Sequence, residues 1–255
     1  MSRWLADSLR IACAPGEVAL RRTRGTPASR TLTTDDRNAA SLLPLLEEAL
    51  ADSNWHARRV EVVISQRLVR HVLTPAPGKT LSRAEERALV IGSLRNIYGD
   101  EALQWQVQIM SQPPQHGLIG AAMDATFIEQ LGELLKRHGF QNIAIRPLAS
   151  VAAHHLPRQY SGWWVLAEPG WVSVLGGTTH HWQHVAAMPA DTDWLAGLPD
   201  LIKRETEMTT ASLPAAVWIQ PVGLGAVSAP IATSTRWQVL PHNSQASGAL
   251  AMLEL

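Results

Sequence analysis

Phe127, Ile128, Leu131, Leu134 and Leu135 recur at helical spacing, so residues 126–138 should coil into a helix with one wide apolar face. Asp124 offers a carboxylate start and Glu129 lies in the first turns. Lys136, Arg137 and His138 crowd the last turn, and Gly139 follows as the residue able to take a left-handed cap. Apolar runs at 117–123 and 143–147 flank this helix and predict strands. The pattern is strand, amphipathic helix, strand with short joints: a βαβ unit that closes a first half of the chain.

Before it, residues 9–14 and 17–23 form a hairpin, with a more polar third strand at 30–33. A helix over 38–52 has Leu42, Leu43, Leu45, Leu46, Ala49 and Leu50 as its apolar face. Pro44 either starts that helix or kinks it. Residues 60–64 read as a short buried strand and 68–73 as another, ended by the breaker at 75–78. Ser82 and Glu85 stand at capping-box spacing ahead of a helix over 82–98, whose apolar side is Leu89, Val90, Leu94 and Ile97. A strand at 103–110 and a turn at 111–116 lead back to the βαβ unit. Residues from about 67 to 115 therefore read as a strand–helix–strand subdomain inserted in the first half.

After 155 the chain starts again. Strands are expected at 163–167, 171–175 and 181–188. A helix follows through Trp194, Leu195, Leu198, Leu201 and Ile202, capped by Asp191 or Thr192, with Pro199 a candidate break. A strand at 216–219, a Gly/Pro-rich loop at 221–230, a strand at 237–240 and a small apolar closing helix at 248–253 complete it. The restart is sharpest at two hairpin corners, Ala14-Pro15-Gly16 and Glu168-Pro169-Gly170. Each sets a Pro-Gly turn between apolar strands, and each is followed by a Gly-marked turn and a third strand. Two ordinary hairpins would match in this way by coincidence; a duplicated β-β-β-α half would also match in strand lengths, and is preferred. The halves are then residues 1–157 and 158–255, with their corners facing each other across a cleft.

Composition narrows the setting. Lys plus Arg and Asp plus Glu are 22 each, so the formal net charge is zero and nothing draws the whole chain to nucleic acid or an anionic membrane. The single cysteine, Cys13, sits in an apolar strand and is read as a buried structural thiol. No signal peptide and no bilayer-length apolar run is evident, which points to a cytoplasmic protein. Ten Trp outnumber two Phe and two Tyr; Trp105, Trp163, Trp164, Trp171 and Trp218 fall in strands as core or half-buried residues.

Candidate chemistry is sparse. His180, His181 and His184 form an H-H-x-x-H run, but neighbours on a strand point to opposite faces and no acidic partner stands at ligand spacing. Polar strand positions are the plainer reading. There is neither a P-loop nor a G-x-S-x-G.

A duplicated β-β-β-α half with an inserted subdomain resembles the actin-like (ribonuclease H-like) ATPase fold, of class α/β. Within it the chain is similar to the cytoplasmic assembly proteins of type IV pili and type II secretion, the PilM and GspL group. The ending at 247–253 resembles that group's terminal A-x-G-L-A stretch. In nucleotide-binding members each corner resembles Asp-x-Gly, whose carboxylate manages Mg²⁺ and water while backbone amides cradle phosphate. Here Ala14 has no carboxylate, Pro15 and Pro169 each remove an amide donor, and Glu168 reaches one bond farther. Where an adenosine loop should follow, the chain has Gln220-Pro221-Val222-Gly223-Leu224-Gly225.

The resemblance therefore implies at most a vestigial nucleotide site at Ala14, Pro15, Gly16, Glu168, Pro169, Gly170, Gly223 and Gly225, with no catalytic residue, metal or bound cofactor. It implies a non-catalytic adaptor at the inner face of the inner membrane, holding the cytoplasmic N-terminal segment of a single-span membrane protein. Nucleic acid binding and direct membrane insertion are not expected. That segment would bind beside the insert, near Trp105, with Glu85, Glu86, Asp100 and Glu101 attracting a basic tail. Two alternatives stay open: an actin-like ATPase or small-molecule kinase with a divergent phosphate site and Mg·ATP, and an insert that is a stabilising cap.

Overall fold

The computed structural model describes residues 8–22, 28–209, 213–230 and 235–255. The first half runs β1 (Ser8–Ala14), β2 (Glu17–Arg22), β3 (Ala28–Thr33), α1 (Leu42–Leu50), β4 (Arg59–Ile64), β5 (Arg70–Leu73), α2 (Arg83–Tyr98), β6 (Trp105–Met110), β7 (Ile119–Asp124), α3 (Ala125–Arg137), β8 (Asn142–Pro147) and α4 (Leu148–Ala152). The second runs β9 (Ser161–Glu168), β10 (Trp171–Thr178), β11 (Trp182–Pro189), α5 (Trp194–Met208), β12 (Ala216–Pro221), β13 (Arg236–Val239) and α6 (Gly248–Met252). Thr23, where the second strand was expected to end, and the turn after it lie outside the described residues.

Two five-stranded sheets share one topology, β3-β2-β1-β4-β8 and β11-β10-β9-β12-β13. In each, an antiparallel three-stranded meander is extended by two parallel strands. Two hairpins alike by chance would not also agree in strand order and sense, so the structure carries the repeat that the corners announced.

The helix faces follow the sequence closely where the period is clear. Phe127, Ile128, Leu131, Leu134 and Leu135 of α3 are all buried, packed with α1 against β1, β2 and β4. Burying each such side chain contributes roughly 1.5–3 kcal/mol. The Asp124 carboxylate accepts the N–H of Phe127 at 2.7 Å, and Gly139 has φ of +85°. Pro44 neither starts nor kinks α1. It occupies the first turn, where its missing N–H would have no partner, behind a 3₁₀ turn at Ala39–Ser41.

Five expectations are corrected. First, β7 and β8 do not share a sheet: β7 is the central strand of a three-stranded sheet, β5-β7-β6, while β8 lies at the edge of the first five-stranded sheet. The run around α3 is thus a crossover between sheets, not a βαβ unit within one. Second, Leu68 ends a 3₁₀ turn (Gln66–Leu68) and Leu103 lies in another (Gly99–Gln104), so β5 and β6 are shorter than read. Third, Ile97 is 60% exposed, because α2 turns only Val90 and Leu94 fully inward. Fourth, α5 has Asp193 at its N-cap, and Asp191, two residues earlier, accepts the Asp193 N–H. Fifth, the same helix continues through Pro199 to Met208.

Between the halves lies a separate core. The small residues Ala12, Ala19 and Val63 let α4 and α6 approach the first sheet, while Trp164, Leu166 and Leu175 meet them from the second.

Candidate functional site

Both hairpin corners use glycine where φ must be positive, +80° at Gly16 and +74° at Gly170. At Gly16 a Cβ would also stand 2.7 Å from the Thr34 carbonyl oxygen. The segment leaving β4 ties the corners together. The Ser65 N–H donates to the Cys13 carbonyl at 2.9 Å, the Gln66 N–H to Glu168 Oε2 at 2.9 Å, and Arg67 Nη1 to the Pro169 carbonyl at 3.4 Å. Gln66 Oε1 in turn accepts the Ala149 N–H at the start of α4.

The carboxylate of Glu168 therefore serves the fold. It is buried, and loss of water pushes its pKa up to about 7 against the opposing hydrogen bonds of Ser65 and Gln66 and the charge of Arg67. Burial likewise pushes the Cys13 thiol up to about 12, far from thiolate reactivity. Gly223 (φ +71°) is packed against the start of α6: a Cβ there would lie 2.9 Å from the Gly248 nitrogen, and Leu224 bridges to Ser247. At Gly225 a Cβ would meet nothing within 4 Å, while its carbonyl lies 3.0 Å from His242 Nε2.

Two cavities flank this junction. The larger, about 620 Å³, is lined by Pro15 of the first corner, Trp171 beside the second, Trp105 of the insert, and Arg37, Arg67 and Arg70. Among the described residues none of these three guanidiniums pairs with a carboxylate. The smaller, about 290 Å³, lies between the insert sheet (His71, Ile109, Met110, Ile119), α4, and Trp164 and Trp182 of the second half. Its walls are mostly apolar. Burial lowers the His71 pKa to about 4, so the ring is neutral there at ordinary pH.

Across the top of this groove the insert touches the second half directly. The Gln112 side-chain oxygen accepts the Trp182 N–H at 2.6 Å, and its Nε2 donates to the carbonyls of Gly117 (2.6 Å) and Trp182 (3.1 Å). Beside it His116 and His181 stack with ring centroids 3.7 Å apart. Nothing in the sequence singled out Gln112, which sits in a turn.

The structure separates the residues expected to hold a partner. Trp105 lines the larger cavity with Glu101 and meets Tyr98 edge to face. Glu85 is engaged in the α2 capping box and faces Lys79 at 3.6 Å, with Glu86 in the same turn, and neither lines either cavity. Asp100 pairs with Arg95 at 2.6 Å. The histidine run does gain an acidic neighbour: Glu205, buried on α5, lies 2.8 Å from His184 Nε2 and binds Arg204. Its place on the stripe of Leu198 and Ile202 was the signal for it. No group of three potential metal ligands occurs among the described residues, and none of their helices is long and apolar enough to cross a membrane.

No protein-family model matches the chain, and no curated relative matches it. Solved structures do. The cytoplasmic domain of EpsL, an inner membrane component of the type II secretion system of Vibrio cholerae, superposes with a TM-score of 0.58 at 15% identity. That match covers 97% of this chain and 92% of that one. A Bacteroides thetaiotaomicron protein with an actin-like ATPase fold gives 0.53 at 11% identity over 87% and 83%. A PilM-PilN type IV pilus biogenesis complex gives 0.53 at 13% over 84% and 81%. The chain has the actin-like fold.

Proposed function

We propose that this chain is a non-catalytic adaptor in the inner-membrane platform of a type II secretion or type IV pilus system, acting from the cytoplasmic side. The observation that carries the reading is the end-to-end agreement of fold with the EpsL cytoplasmic domain, 97% of one chain on 92% of the other. The corner chemistry supports it. Ala14, Pro15 and Pro169 supply neither the carboxylate nor the amides for Mg·phosphate, and Glu168 is engaged with Gln66. Residues 1–157 would present the partner surface and 158–255 would brace it.

The partner in this reading is the N-terminal cytoplasmic segment of a single-span membrane protein. The apolar groove between the insert sheet and α4 suits it, with Met110, Ile119, Trp164 and Trp182 receiving a few apolar anchors. Glu85 and Asp100 are held by their own neighbours, so apolar contact rather than a basic tail sets the affinity. Titration with a synthetic peptide of that segment, followed by backbone NMR shifts, tests the proposal. Shifts should gather on β5, β6, α4 and Trp182. Absence of binding at millimolar peptide would overturn it.

A second reading has its own observation. Arg37, Arg67 and Arg70, without carboxylate partners among the described residues, line a 620 Å³ cavity beside both corners, which suits an anionic ligand of a divergent ATPase or kinase. Calorimetry with Mg·ATP separates the two.

A further inference from the structure

The insert is built as a unit of its own. Its strands β5, β7 and β6 close with α2 over a separate core of Val72, Val90, Leu94, Val107 and Leu118. Two crossings join it to the first half, the 3₁₀ turn Gln66–Leu68 ahead of β5 and the junction of β7 with α3 at Asp124 and Ala125. β5 lies against β11. The turn at 111–116 reaches over to the start of β11, where Gln112 binds Trp182 and His116 stacks on His181 with ring planes 16° apart. A body with its own core, held at a few crossings and one clasp, can turn without unfolding.

In that clasp the stacked imidazoles are the parts that titrate near neutral pH. His181 Nδ1 lies 3.3 Å from the Thr178 hydroxyl and its Nε2 2.8 Å from the Gln183 amide. Hydroxyl and amide can each donate or accept, so His181 keeps both partners in either charge state. What changes is the face it turns to His116. One imidazolium stacks well on a neutral ring, whereas two set like charges face to face at 3.7 Å. The surrounding elements offer no relief. They carry His180 in the same turn, and His154, His155 and Arg158 in the segment 153–160, which holds Thr179. On the insert side they carry Lys79, next to Gly78, whose N–H donates to the Pro114 carbonyl, and Lys79 already faces Glu85 at 3.6 Å. Among the described residues the histidines that pair with carboxylates are His138 and His184, not these two.

We propose that His116 and His181 form a proton-operated latch: stacked while at least one ring is neutral, they part when both are protonated, releasing the insert from the second half and widening the groove walled by Trp164 and Trp182. His181 is already held below its ordinary 6.5, by loss of water first and then by the charges of His116 and His180. Its support for closure is therefore full above 6.5 and is lost as pH falls through the lowered value. His71, in the groove wall, takes its proton only near 4. The latch does not depend on what the groove holds, nor on the adaptor reading.

Hydrogen exchange of the Trp182 N–H, which Gln112 holds across the closure, reads the latch directly. After correction for intrinsic rates, its protection in the parent chain should fall about tenfold or more between about pH 7.5 and about pH 5, while amides of β4 and β9 keep theirs. His116→Phe supplies a ring that stacks without a proton, and protection at Trp182 should then stay level across the same range. His116→Glu should reverse the slope, since a carboxylate then faces the imidazolium. Glu168 and His71 are present in parent and variants alike, so the difference between profiles belongs to the stack. A stack of purely structural value would lower protection equally at every pH in both variants. That result would overturn the proposal, as would a parent whose Trp182 protection ignores pH or changes in step with β4 and β9.

Discussion

Glu168 Oε2 accepts the backbone N–H of Gln66 at 2.9 Å, which fixes the second hairpin corner to the chain leaving β4. The carboxylate of the second corner is thereby buried, held by a residue of the first half.

That burial has a pH signature, opposed by a second group. Glu168 is raised to about 7 in the fold from 4.5, so the folded state binds its proton more tightly. The stability it contributes is full below 4.5 and is lost as pH rises through 7. His71 is lowered to about 4 from 6.5, so its contribution is full above 6.5 and is lost as pH falls through 4. Between 4.5 and 6.5 the two slopes cancel in the parent chain. In Glu168→Gln, urea unfolding should show stability falling with acid across that window and a gain above pH 7. In His71→Leu stability should rise with acid. Parallel profiles for both variants and the parent would contradict this account.

Gln112 clasps the insert to the second half through two hydrogen bonds to Trp182, with a third to the Gly117 carbonyl holding its side chain in place. Gln112→Ala leaves one backbone donor and two backbone acceptors without their partner, and should cost about 1–3 kcal/mol if they remain dry. Hydrogen exchange should accelerate at Trp182, whose N–H loses its acceptor. The peptide's affinity for the groove should fall as well, because Trp182 forms one wall.

Gly248 begins α6 with φ of +54°, and a Cβ there would run into the Glu17 carboxylate. That carboxylate, raised in pKa by burial, accepts the Ala249 N–H. Gly248→Ala should displace it and cost about 1–3 kcal/mol in thermal unfolding. An unchanged midpoint would mean that α6 can shift freely over β1 and β2.

Mg·ATP should bind this chain weakly. Losing one carboxylate and two amide donors costs on the order of 1–3 kcal/mol each, enough to move a micromolar site toward millimolar. Calorimetry showing tight, Mg²⁺-dependent heat would transfer the function to the arginine-lined cavity. Arg67→Ala should then abolish the signal.

The sequence by itself determined what depends on near neighbours. The face of α3, the Ser82–Glu85 capping box, the αL glycine at 139 and both Pro-Gly corners were legible because each is fixed within a turn or two of chain. The repeat was legible through those corners. Tertiary structure decided what depends on distant chain. Which sheet receives β7 is a contest among edges that periodicity does not weigh, so the strand beside α3 went to the insert. Whether Ile97 is covered depends on the reach of the insert sheet beneath α2, and it falls short. Glu168 reads as a cleft carboxylate until Gln66, 102 residues earlier, supplies its N–H. The histidine run reads as having no acidic partner until α5 brings Glu205 against His184. In each case the side chain's chemistry was visible in the sequence, but its partner was set by packing between elements far apart in the chain.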